Sequence, residues 1–98
     1  MHSAKTLLKM TKEEVKAQLP KWFEGMIYEE GGEVTNPFSG ESCELDAAEL
    51  SMHDCIKGAE MAMHMGAAFD IDECIDVIHQ GQDWFIKRNP TAYMILLD

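Results

Sequence analysis

Basic residues are scarce in this chain, with eight Lys and Arg against eighteen Asp and Glu, for a formal charge of −10. A field of that sign repels nucleic-acid phosphates and anionic lipid headgroups, which disfavours direct binding to DNA, RNA or a membrane surface. Cysteine is equally sparse. Cys43, Cys55 and Cys74 form no C-x-x-C pair, which removes the common zinc-knuckle and thioredoxin patterns, and an odd number of thiols suits a reducing cytosol. No stretch approaches the ~18 apolar residues of a membrane span, and MHSAKTLLKM lacks the apolar centre of a signal peptide. The expectation is a soluble cytosolic protein, and no local motif calls for a cofactor.

What is present suffices for one domain. A chain of 98 residues with 46% hydrophobic and 27% charged residues can bury a single core but not two. The charge is uneven. Residues 1–30 carry five Lys and five Glu, whereas residues 31–98 carry three basic and thirteen acidic side chains. An acidic C-terminal two-thirds admits a basic protein partner, although solubility alone also explains such a surface.

The spacing predicts a mainly α fold of three to five helices with a short β-hairpin or compact turn near residues 33–45. Thr11-Lys-Glu-Glu14, Asp46-Ala-Ala-Glu49 and Asp70-Ile-Asp-Glu73 each have the form of a capping box, in which a side chain at either end satisfies an amide at a helix start. They open a helix at Lys12, one over about 47–65 closed by Gly66, and one running to Arg88. Pro20 interrupts the first. Trp22, Phe23, Met26 and Ile27 then fall at helical spacing before a Gly31-Gly32 stop, which predicts an N-terminal helical segment over residues 1–30, either kinked or in two pieces. Asn36-Pro37 and Ser39-Gly40 form a turn of fixed geometry. Asn89-Pro90 reads as the cap and first residue of a short terminal helix, with Tyr93, Leu96 and Leu97 packed on the helices before it.

SMHDCIKGAEMAMHMG, residues 51–66, crowds histidine, cysteine and methionine and invites a metal reading. Met61 and His64 lie one turn apart, as a soft Cu(I) site requires, but two ligands are too few. Both Glu–His spacings here are four, not the three of a di-iron helix. On a helical wheel Ala48, Met52, Cys55, Ile56, Ala59, Ala62, Met63 and Gly66 share one stripe, so methionine serves as packing material and Cys55 as a small apolar residue. Glu49, His53, Lys57, Glu60 and His64 fall on the polar side, where Glu49 with His53 and Glu60 with His64 stand at i,i+4. No nucleophile sits beside a base in any local pattern, which points away from an enzyme.

Leu50, Met61 and Met65 flank the stripe, and Val77 and Trp84 make a similar flank on the next helix. Apolar flanks suit a partner or a second copy of the chain, unless the hairpin or the N-terminal segment covers them. Asp54, and Asp72, Asp76 and Asp83 beside His79, supply acidic faces next to them.

NPFSGESCEL, ELSMHDCIKGAE and WFIKRNPTAYMILLD together resemble a group of small proteins encoded by tailed bacteriophages. Matching positions are Asn36, Pro37, Ser39, Gly40 and Glu41, then Asp54, Ile56, Gly58 and Glu60, then Asn89, Pro90, Ala92, Tyr93, Met94, Leu96, Leu97 and Asp98, within residues 34–98. The resemblance implies a setting, the cytoplasm of an infected bacterium, rather than a mechanism; within it, the missing catalytic motifs and the charge split predict a non-enzymatic protein that binds a host or phage protein. A self-associating homodimer or minor virion component is the first alternative, and a Cu(I)-binding protein using Met61 and His64 the second. Gly58, a mid-helix glycine in the shared motif, predicts a close helix–helix approach there.

Overall fold

The computed structural model describes residues 10–66 and 70–97. Among these the chain is mainly α, with four helices and a two-stranded antiparallel hairpin. The first helix, α1 (Lys12–Gln18), starts at a complete capping box. Thr11 N–H donates to Glu14 Oε1 at 3.0 Å, and Glu14 N–H donates to Thr11 Oγ1 at 3.2 Å. The Thr11 backbone bond, then its hydroxyl, hold the Glu14 carboxyl below its ordinary pKa. Val15 is its buried residue, and the helix stops before Pro20.

The helix expected over residues 21–30 does not form, and residues 1–9 of that prediction lie outside the described residues. Pro20 accounts for the break, and tertiary bonds explain why no helix restarts. Tyr28 N–H donates to the Ser51 hydroxyl at 3.0 Å, and Met10 N–H to the Glu29 carbonyl at 2.8 Å. With the Tyr28 amide and the Glu29 carbonyl satisfied from outside, the segment crosses the molecule as an irregular strap that rests Trp22, Phe23 and Ile27 on the core. Gly31 is not a helix stop. A Cβ there would lie 2.1 Å from the Leu45 carbonyl oxygen, so only glycine lets the two backbones cross.

Strands β1 (Gly32–Thr35) and β2 (Ser42–Leu45) pair with Val34 opposite Cys43 and Thr35 opposite Ser42. Their turn is built as the Asn-Pro and Ser-Gly signals predict. Asn36 Oδ1 accepts from Phe38 N–H at 2.9 Å, and Gly40 takes φ +78°. Asn36 Nδ2 also donates to the Ile95 carbonyl at 3.0 Å, tying this turn to the C-terminal helix.

Helix α2 (Ala47–Met65) and helix α3 (Ile71–Arg88) pack as an antiparallel pair, and α4 (Pro90–Leu96) packs against α3 and strand β2. Their close approach is at Gly81, where a Cβ would sit 2.7 Å from Ile56 Cγ1 and 3.3 Å from Met52 Sδ. At Gly58, the predicted position, nothing lies within 4 Å of the place a Cβ would occupy. Asn89 ends α3 and caps α4, its Oδ1 accepting from Ala92 N–H at 3.1 Å. As the sequence predicts, the tail docks. Leu96 and Ala92 are buried, with Tyr93 and Leu97 half-buried against the core.

The core runs from Val15 and Leu19 through Leu45, Ala48, Met52, Ile56 and Phe85 to Leu96. It ends at Ile56 along α2. Cys55, Ala59, Ala62 and Met63 are only half-buried, because α2 projects past the core in its second half. Glu49 departs furthest from the helical-wheel expectation. Its side chain is fully buried, with Oε2 3.4 Å from Arg88 Nε and from Asn89 Nδ2, rather than paired with His53 on a wet face. Arg88 also meets Asp46 at 2.8 Å, bonds Gln18, and stacks 5.1 Å from the Trp84 ring. These contacts join the start of α2, the end of α3 and α1. Among the described residues, no helix is long and apolar enough to cross a membrane.

Candidate functional site

The α2–α3 pair leaves a trough on the side where the strap crosses it. Helical spacing lines it, with Asp54, Cys55, Gly58 and Ala59 from α2, and Glu73, Asp76, Val77 and Gln80 from α3. The strap closes its third side with Trp22, Glu24 and Gly25, held by a tight seat, since a Cβ at Gly25 would be 2.9 Å from Phe23 and 3.2 Å from Cys55 Cβ. The volume is about 600 Å³.

Two smaller hollows extend it. One, about 190 Å³, shares Ala59, Glu73 and Val77 and adds Asp70 and Cys74. The other, about 310 Å³, shares Trp22 and Gln80 and adds Pro20, Asp83, Trp84 and Lys87. The surface therefore follows α3 from Asp70 to Lys87, roughly 25 Å at the helical rise.

The floor is apolar and the rim acidic. Cys55, Ala59 and Val77 form the floor with Trp22 as an apolar wall, and Glu24, Asp54, Glu73 and Asp76 stand around the central hollow, with Asp70 and Asp83 at its ends. Among the described residues Lys87 is the one basic side chain lining it. Burial, then the neighbouring Asp54 charge, push the Cys55 thiol pKa up, which favours the protonated, less nucleophilic form of the sulfur. Next door, burial first and then Lys57 hold His53 below its ordinary pKa, so it is neutral near pH 7 despite the opposing pull of Asp54 and Glu60.

Gly58 acquires a different meaning in this setting. A glycine inside a helix costs ~1 kcal/mol relative to alanine, and here no neighbouring helix requires it, because the space beyond it is open trough. Its effect is to deepen the floor.

Of the residues singled out from sequence, the trough gathers Asp54, Asp76, Asp83, Trp84 and Val77. Trp84 is half-buried rather than a free flank, its Nε1 donating to the Gln18 carbonyl at 3.3 Å. Leu50 is likewise half-buried, near Gly32 of the hairpin. Met61 and Met65 are exposed on the projecting end of α2, and Asp72 and His79 are exposed without lining the trough. His64 and Met61 are both at the surface, and no group of three His, Cys, Asp or Glu side chains among the described residues is placed to hold a metal ion. Asn36, Pro37 and Gly40 form the hairpin turn, away from this surface.

Trp22, Glu24 and Glu73 were not anticipated. The sequence groups Asp72, Asp76 and Asp83 on one face, whereas the trough takes 73, 76, 77 and 80, and the helical spacing of its own aromatics hides the strap that walls it. Comparison with protein-family models, curated proteins and solved structures finds no match to this chain.

Proposed function

We propose that this chain is a non-enzymatic accessory protein of a tailed bacteriophage that binds a host or phage protein in the cytoplasm of the infected cell, using the trough between α2 and α3. The observation that carries the binding reading is the trough itself, with an apolar floor left open by a helix glycine that packing does not require. A chain that needed only stability would gain from alanine at position 58. The raised pKa of the Cys55 thiol and the pairing of Arg88 with Asp46 and Glu49 in a structural network favour a binding surface over a catalytic one. The phage setting rests on the sequence resemblance.

Capture from infected cells tests this. The wild-type protein should retain a stoichiometric partner that a Gly58→Leu variant, with the trough filled, does not. Equal recovery by both would remove the trough from the account, and no partner on either would remove the binding function.

A second reading has its own observation. Met61, Met65 and Ile71 are exposed apolar side chains on or beside the projecting end of α2, which suits a homodimer. Light scattering of Met61→Glu/Met65→Glu against wild type decides it, since a dimer closed by this patch would become a monomer.

A further inference from the structure

The proposed partner-binding role leaves the partner's chemistry open, and the trough narrows it. We infer that its occupant is a basic amphipathic helix of a partner protein, which lays an apolar ridge on the floor over Gly58 and sets Lys or Arg side chains against the rim carboxylates. This rests on the trough being the binding surface.

Four features of the trough argue for that occupant. The trough is parallel to α3 and bounded by two antiparallel helices and the strap, so a third helix lies along it as it would in a helical bundle. Glycine at 58 removes the side chain that would hold such a helix away. Charge fixes the sign of the flanks. Glu24, Asp54, Glu73 and Asp76 surround the apolar floor, and among the described residues no lysine or arginine lines that central hollow. An acidic or neutral helix would leave four like charges crowded at a surface being dried, whereas a basic one neutralises them. The length of α3 between Asp70 and Lys87 matches a helix of about seventeen residues.

The full-length protein is titrated with an amphipathic peptide of Leu and Lys only. The chain's two tryptophans, Trp22 and Trp84, both line the surface and report binding by fluorescence. Expected is saturable one-to-one binding that weakens roughly five- to tenfold in Asp54→Asn/Asp76→Asn, each exposed pair being modest. Binding should be lost in Gly58→Leu and unchanged in Asp72→Asn, an exposed acid outside the trough. A Leu/Glu peptide should not bind, and spermine, a cation with no apolar ridge, should not displace the Leu/Lys peptide.

Unchanged affinity in Gly58→Leu, or displacement by spermine, overturns the inference by showing that net charge alone attracts the peptide. If Gly58→Leu loses the captured cellular partner while the Leu/Lys peptide fails to bind wild type, the basic helix falls and the binding function stands.

Discussion

Replacing Arg88 with alanine should cost more stability than any surface substitution, for a reason specific to its neighbours. Glu49 has no solvent exposure and the Asp46 side chain is 9% exposed, yet both meet the one guanidinium, at 3.4 and 2.8 Å. Removing the cation takes a charged partner from two buried carboxylates. Breaking a buried pair typically costs about 3–5 kcal/mol. The Arg88 side chain is 27% exposed, so water can enter behind it, and Glu49 keeps Asn89 Nδ2 and the Asp46 amide. The lower end, about 3 kcal/mol, is the working value. For a domain of this size total stability is roughly 5–15 kcal/mol, and each kcal/mol moves Tm by about 4–8 °C, so melting should fall by roughly 12–24 °C. Urea unfolding of Arg88→Ala, beside Lys87→Ala as the exposed neighbour, measures it. A loss within about 0.5 kcal/mol of wild type, the range of ordinary surface changes, would refute the view that Arg88 compensates the buried acids.

The two helix glycines should respond oppositely to alanine. Gly81→Ala forces a methyl to 2.7 Å from Ile56 Cγ1 and should cost about 1–3 kcal/mol, whereas Gly58→Ala meets open space and should be neutral or stabilise by up to ~1 kcal/mol. Paired thermal melts check both. Truncation after Ala92 removes buried Leu96 and the half-buried Tyr93 and Leu97. Leu96 alone contributes ~1.5–3 kcal/mol, so the shortened chain should melt far lower or not express in soluble form. A truncated chain that melts like the full one would make the tail a binding element instead. His53 is held below its ordinary pKa by burial, so the unfolded chain binds its proton first. Its contribution to stability is complete above the ordinary imidazole range and is lost as pH falls through that range toward the lowered folded value. His53→Gln should flatten that part of a stability–pH profile measured by urea unfolding.

Local chemistry was legible in the sequence wherever a few adjacent residues decide the outcome. The cap residues Thr11, Asp46 and Asp70 and the Asn-Pro signals at 36 and 89 act through bonds three residues away or fewer, and each opens the element expected of it. Where a distant partner decides, spacing misleads. Trp22, Phe23, Met26 and Ile27 have helical spacing, but the Ser51 hydroxyl takes the Tyr28 amide and the segment becomes a strap. Glu49 has His53 at i,i+4, but Arg88, far along the chain, is the partner that lets it be buried. Gly58 and Gly81 look alike within their helices. Only the Ile56 side chain against one and the open trough against the other separate packing from a binding surface.

The central claim, that a protein partner occupies the α2–α3 trough, is tested most directly by carboxyl footprinting, in which exposed Asp and Glu are chemically labelled and located by mass spectrometry, on the free protein and on its complex with the captured partner. Glu24, Asp54, Glu73 and Asp76 rim the trough, while Glu33, Glu41 and Asp72 are exposed elsewhere. The account predicts that labelling of the first four falls in the complex and that of the other three is unchanged. Unchanged labelling at Asp54 and Asp76, with protection at Glu41 on the hairpin turn or at Asp72, would contradict it.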